Sequence, residues 1–67
     1  MLVIDITGPK GNAFYLLGKA RQLGKQLEYS EEDLKNLDDE MQSGDYEHLL
    51  DTFEKHFGEL VEFFGRD

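Results

Sequence analysis

The 67-residue sequence contains no cysteine, and this absence removes several classes of protein at once. Small domains often rely on disulfides or on cysteine-bound zinc, because a chain of this length buries only about 60% of the surface that it exposes when unfolded. Neither device is available here, and neither is a thiolate nucleophile. We therefore expect association between copies as the remaining support, and we do not expect a deep active site.

The sequence also lacks a long apolar run. No segment approaches the roughly 20 apolar residues that cross a bilayer as a helix. The first residues show neither the basic start nor the apolar stretch of about 7–15 residues that is typical of a secretory signal peptide. Together with the missing cysteines, these features predict a cytoplasmic protein with no membrane partner.

Cations are scarce, since seven lysines and arginines stand against 15 acids and the formal charge is −8. The imbalance is confined to one part of the chain. Residues 1–27 carry four cations and one acid, a sum of +3, whereas residues 28–67 carry fourteen acids and three cations, a sum of −11. This asymmetry favours an anion at the basic end and a basic partner at the acidic end, although simple solubility explains it equally well.

Hydrophobic periodicity predicts five elements. Alternating β-branched residues predict a strand over about 2–7, and apolar residues at steps of three and four predict helices over about 13–27, 31–42 and 46–57. The segment 60–64 is short, aromatic and flanked by glycines, which favours a second strand, with a helical continuation as the alternative.

The order β-α-α-α-β predicts an α+β fold that forms a small single domain, residues 1–67, because no linker or repeat interrupts it. We expect the two terminal strands to pair antiparallel, with the helices packed on one face. A lone two-stranded ribbon is only marginally stable and leaves open edges, so a homodimer is the natural solution. If Val61 and Phe63 face the helices, Leu60 and Phe64 face outward and mark a surface for self-association or for a partner.

Single residues mark the helix ends. Asn12, Ser30 and Asp45 each precede a predicted helix and are suitable N-caps. Gly18 and Gly24 lie inside the first helix, where each costs roughly 1 kcal/mol relative to alanine. We expect a close packing contact to offset this cost at both positions.

The loop between the first strand and the first helix is a candidate phosphate site. Gly8, Lys10, Gly11 and Asn12 lie where backbone N–H groups and the helix dipole favour an anion, and Tyr15 is placed to stack on a base. The spacings of the P-loop and of the dinucleotide-binding glycine motif are absent. A tight strand-to-helix turn without a ligand is the simpler interpretation.

No catalytic group, cofactor or metal site is predicted. His48 and His56 are eight residues apart, about 12 Å along a helix, which is too far for one metal ion within a chain. Ser30 and Ser43 lie at expected helix ends, and their spacing implies no histidine and acid partners. We therefore expect a protein that is not an enzyme.

Direct binding of nucleic acid is not expected either. Four cations, Lys10, Lys19, Arg21 and Lys25, carry the whole basic character of the first 27 residues. They fall short of a basic face on a molecule with a net charge of −8.

The acidic block is the most distinctive chemical feature of the sequence. Carboxylates on rigid helices can occupy a basic groove on another protein. The leading hypothesis is a protein-interaction module whose second and third helices engage a basic surface through Asp38, Asp39, Glu40 and Asp45. The alternative is a phosphate- or nucleotide-binding protein that uses the loop at residues 8–12.

Two segments resemble short, uncharacterised proteins encoded by tailed bacteriophages. They are G-P-K-G-N-A-F at residues 8–14 and S-G-D-Y-E at residues 43–47, with Phe57-Gly58 further along. The resemblance implies a phage accessory protein that acts in the bacterial host cytoplasm, and it assigns no function to any residue. Small phage proteins of this type include inhibitors of host defence, some of which bind host proteins while others sequester nucleotide signals.

Overall fold

Three helices lie between two short strands in the computed structural model, which describes residues 1–66. The elements are β1 (Leu2–Asp5), a single turn of 3-10 helix (Pro9–Gly11), α1 (Ala13–Gln26), α2 (Glu31–Met41), α3 (Tyr46–Phe57) and β2 (Val61–Phe64). The predicted order is confirmed, and residues 61–64 of the segment 60–64 form a strand rather than a helical continuation, with Leu60 in the turn before it. The main difference in bounds is β1, which ends at Asp5 instead of Thr7, where the side chain of Asp5 accepts the Thr7 N–H at 2.9 Å and begins a turn.

The two strands pair in parallel, so the predicted antiparallel pairing is wrong. Leu2 lies opposite Val61, and Asp5 lies opposite Phe64. The number of helices explains the direction. Short connections make successive helices antiparallel, and three helices between the strands return the chain to the direction in which it left β1.

Capping side chains begin each of the three α-helices, as predicted. Asn12 Oδ1 accepts the N–H groups of Phe14 and Tyr15 at 2.7 and 3.3 Å. Ser30 forms a reciprocal capping box with Asp33, and Asp45 accepts the N–H of His48 at 2.9 Å. These local interactions fix the helix starts because each satisfies a backbone donor that the helix itself leaves unpaired.

The end of α1 holds a residue in an uncommon conformation. Tyr29 N–H donates to the Gly24 carbonyl at 2.9 Å and Glu28 N–H to the Lys25 carbonyl at 3.0 Å, which is a Schellman motif. The motif requires a left-handed residue, and Glu28 occupies it with φ at 65° although glycine is usual there.

One hydrophobic core joins the sheet to all three helices. Its buried members are Ile4, Leu16, Ala20, Leu23, Leu37, Met41, Leu49, Leu50, Phe53, Phe57 and Val61, with Phe63 packed against them. Ile4 and Val61 show that the helices cover one face of the sheet. On the other face Phe64 remains 61% exposed, and Leu60 is also exposed, as the strand alternation predicted.

The two glycines inside α1 differ. A Cβ atom at Gly24 would lie 2.7 Å from Leu34 Cδ2, so the predicted close contact is confirmed there. Gly18 has no atom within 4 Å of that position, and the same prediction is wrong. A third glycine, Gly11, is required by packing, because a Cβ atom there would clash with the carbonyl oxygen of Ile6.

None of the helices described in residues 1–66 has the length and apolar character needed to cross a membrane.

Candidate functional site

Two of the four predicted contact residues are well placed for a partner. Asp38 and Asp39 are both exposed near the end of α2. Asp38 accepts a hydrogen bond from Gln42 Nε2 at 2.7 Å, and Asp39 lies 3.4 Å from Lys35 Nζ. Exposed pairs of this kind are weak, so both carboxylates remain accessible to another molecule.

The other two predicted residues are engaged within the protein. Glu40 approaches α3, where its carboxylate lies 3.5 Å from both Lys55 Nζ and His56 Nε2. Asp45 is the N-cap of α3. The structure therefore separates the predicted set into two exposed carboxylates on α2 and two that hold α3 in place.

Glu40 is part of a polar cluster that links α2, α3 and the turn after α1. His56 Nδ1 lies 3.1 Å from the hydroxyl of Tyr29, and His56 Nε2 is buried without a hydrogen bond among the described residues. Partial burial of Glu40 disfavours its charge, but Lys55 and His56 outweigh that penalty and hold the pKa of its carboxyl below the ordinary 4.5. The cluster thus contributes to stability through charge.

His48 closes the end of α2. Its Nε2 lies 2.9 Å from the carbonyl oxygen of Glu40, and because a carbonyl only accepts, this nitrogen carries the proton. Ser43 Oγ donates to the same carbonyl at 2.7 Å and lies 3.0 Å from His48 Nε2. Both side chains therefore satisfy a backbone acceptor at a helix end, and this arrangement does not activate the Ser43 hydroxyl as a nucleophile.

A second acidic set, on α3, was not predicted from the sequence. Glu47, Asp51 and Glu54 lie at steps of four and three residues and form one stripe, hereafter the α3 stripe. The guanidinium of Arg66 contacts all three carboxylates. The spacing of these three acids is visible in the sequence. The sequence does not show that Arg66, which follows β2, contacts all three carboxylates.

Arg66 is largely enclosed by these contacts, with 22% of its side chain exposed. Hydrogen bonding to Asp51, and then to Glu54 and Glu47, raises the pKa of Arg66 above its ordinary range, so the guanidinium stays charged. Three carboxylates share one cation, and the α3 stripe retains a charge of −2 together with Arg66.

The predicted phosphate loop uses most of its donors internally. Gly11 N–H donates to the Gly8 carbonyl at 2.9 Å, and Asn12 N–H donates to the Pro9 carbonyl at 3.2 Å. The Asn12 side chain occupies the first free N–H groups of α1. Lys10 is exposed in the 3-10 turn, and Tyr15 is exposed on α1.

Tyr46 fastens this loop to α3. Its hydroxyl donates to the carbonyl of Gly11 at 2.5 Å. Burial and then repulsion from Glu47 raise the pKa of Tyr46, which keeps the hydroxyl protonated as a donor. This hydrogen bond links the loop to the first turn of α3.

Within residues 1–66, no group of three histidine, aspartate or glutamate side chains is arranged to hold a metal ion. The surface grooves are shallow. One of about 440 Å³ runs beside β2 between Glu54, Glu62 and Arg66, and another of about 290 Å³ lies between Phe14 and Tyr46.

Comparison of the chain with models of protein families, with curated proteins and with solved structures gives no match.

Proposed function

We propose that the protein is a non-catalytic binding module that engages a basic surface on a partner protein through the acidic helices α2 and α3. In this proposal it is a phage-type accessory protein, the partner is a host protein, and both act in the bacterial cytoplasm. The protein also forms a homodimer through its exposed sheet.

The main support for the proposal is that the few cations in the acidic part of the chain are already paired. Residues 28–66 contain thirteen acids and three cations, and each of these cations already contacts a carboxylate of the same chain. Arg21 adds an ion pair to Glu31 at 3.1 Å, and the carboxylates that have no ion pair among residues 1–66 are available to the cations of another molecule. A surface with this potential attracts a basic partner and orients it during the encounter.

A phosphate or nucleotide ligand has less support. Most of the amides that would hold a phosphate, those of Gly11, Asn12, Phe14 and Tyr15, already donate within residues 8–15. Lys10 would have to bind the anion without them, and a single exposed lysine is a weak anion site. We therefore propose a basic partner protein in preference to a phosphate or nucleotide ligand.

The test removes two exposed charges from α2. A labelled, flexible peptide of lysine and glycine serves as the probe, and its affinity is measured by fluorescence anisotropy at low and physiological salt. We expect Asp38→Asn combined with Asp39→Asn to weaken binding about fivefold at low salt, because each lost contact is worth roughly 0.2–1 kcal/mol. Salt should weaken the wild-type complex as well.

The matched control removes the same charge elsewhere. Glu28→Gln combined with Glu59→Gln lowers the net charge equally but lies outside α2 and α3. We expect it to change the affinity by less than about twofold. Equal losses in both variants would mean that net charge alone drives binding, and the proposal would be rejected.

A further inference from the structure

The outer edge of β2 carries unpaired backbone groups. Leu2 N–H donates to the Leu60 carbonyl at 2.9 Å, and Ile6 N–H donates to the Phe64 carbonyl at 3.1 Å. In a parallel ladder with this register, the even-numbered residues of β2 face β1, and the N–H and C=O groups of Val61 and Phe63 face away. Outside the β1–β2 ladder, no backbone hydrogen bond of residues 1–66 engages these four groups.

A groove accompanies this edge. It has a volume of about 440 Å³ and follows Val61, Glu62 and Phe63, with Glu54 of α3 on one side and Arg66 near its end. Open edges are normally shortened, covered or charged, because they pair readily with another strand. Here the edge lies beside a groove, which leaves space for an added strand.

The charge around the groove determines which kind of strand can pair with the β2 edge. Glu54 lines the groove and shares Arg66 with Glu47 and Asp51, the other members of the α3 stripe. Glu62 also lines the groove, is exposed and has no ion pair among the described residues. Four carboxylates and one guanidinium give the site a charge of −3. A second copy of this chain, which would bring the same charges to the edge, is repelled there, whereas a basic segment is attracted.

We propose that the β2 edge binds an extended, arginine- or lysine-rich segment of the partner as a third strand. The main chain of this segment pairs with Val61 and Phe63. Its basic side chains, which alternate between the two faces, meet Glu62 on one face and the α3 stripe on the other. This inference rests on the proposed function, and it specifies which part of the partner is bound and how.

Arg66 has a definite role in this complex. It occupies the α3 stripe in the free protein and therefore competes with the cations of the incoming segment. Removing its charge should strengthen binding, even though the same change removes ion pairs from the folded chain. A purely structural role for Arg66 predicts the opposite result.

The experiment uses two labelled peptides with the same charge. The first repeats two arginines followed by two valines, which places arginine on both faces of a strand, and the second has the same sequence with every central amide N-methylated, so it cannot donate to a strand edge. We expect the first to bind at least about tenfold more tightly, as two or more hydrogen bonds are lost in the second. Equal binding of the two peptides would overturn strand addition.

Three variants locate the site. Glu54→Gln combined with Glu62→Gln should weaken binding of the first peptide about tenfold, and Arg66→Gln should strengthen it. Asp38→Asn combined with Asp39→Asn should change it by less than about twofold, since these residues lie on α2. Circular dichroism of each variant checks that it is folded.

The outcomes separate this inference from the proposed function. Equal binding of both peptides with a loss in the α2 variant would leave a basic partner on the acidic helices and reject the β2 edge. The β2-edge inference is also rejected if Arg66→Gln, while folded, binds more weakly than wild type. If neither of these two peptides nor the lysine-glycine peptide binds, both the β2-edge inference and the proposed function are rejected.

Discussion

Gly18 and Gly24 lie in the same helix, yet the structure gives them opposite environments. Gly24 is packed against Leu34 and Tyr29, whereas Gly18 faces open space. The sequence alone could not distinguish them, because the cost of glycine in a helix is the same at both positions and only the neighbouring helix makes the difference.

Alanine substitutions at these positions should therefore have opposite effects. Gly18→Ala should raise the free energy of unfolding by about 0.5–1 kcal/mol, since it reduces the entropy of the unfolded chain without a steric clash. Gly24→Ala should lower it by about 1–2 kcal/mol, because the added methyl group would lie 2.7 Å from Leu34 Cδ2 and the buried Leu34 side chain would have to shift. Urea unfolding of both variants measures the difference, and an equal gain in the two would contradict this description of the α1–α2 contact.

At the scale of elements, the contact between α2 and α3 depends on Glu40 and hence on pH. Because Lys55 and His56 outweigh partial burial, folding lowers the pKa of Glu40 below 4.5. A lowered pKa means that the ionised carboxylate stabilises the fold above about pH 4.5, and that this contribution disappears as pH falls through the folded value.

Glu40→Gln should reveal this contribution. The wild type should be more stable than Glu40→Gln near pH 5, and the difference should shrink toward about pH 3. Chemical unfolding at a series of pH values measures it. Glu32→Gln, an exposed position on the same helix, is the control and should show no such trend. A difference for Glu40→Gln that stays constant over this range would show that the carboxylate acts through packing instead of charge.

The elements themselves were predictable where local chemistry decides them. Asn12, Ser30 and Asp45 cap their helices through bonds that span two or three residues, and such bonds are encoded by adjacent sequence. Strand direction is not a local property, because it follows from the alternating directions of three successive helices, which the expectation of antiparallel pairing did not take into account. The candidate site was predicted in part for the same reason, since Asp38 and Asp39 lie on one helix whereas the α3 stripe is completed by the distant Arg66.

For the whole molecule, the uncovered face of the sheet favours association. Parallel strands are usually buried on both faces, but here Val3 is 55% and Phe64 61% exposed. The free edge of β1 presents the backbone of Val3 and lacks the α3 stripe that repels a second copy at the β2 edge. Pairing of two β1 edges would produce a four-stranded sheet with two-fold symmetry.

Substitution of Val3 tests the proposed dimer. We expect sedimentation equilibrium to show a dimer for the wild type, and Val3→Lys to weaken it at least about tenfold, because a lysine on an edge strand opposes pairing. Phe14→Lys changes an even more exposed apolar residue, which lies on α1, and should leave the association unchanged. A wild type that remains monomeric at high concentration would contradict the dimer.

The parallel pairing of β1 with β2 also has a mechanical consequence. Because Leu2 pairs with Val61 and Asp5 with Phe64, the start of β1 and the end of β2 lie at opposite ends of the sheet. A force that pulls these two ends apart acts along the strands and loads the hydrogen bonds between them together, whereas antiparallel strands would separate one bond at a time. The two-stranded sheet therefore resists stretching, and it must rupture before the force reaches the helices.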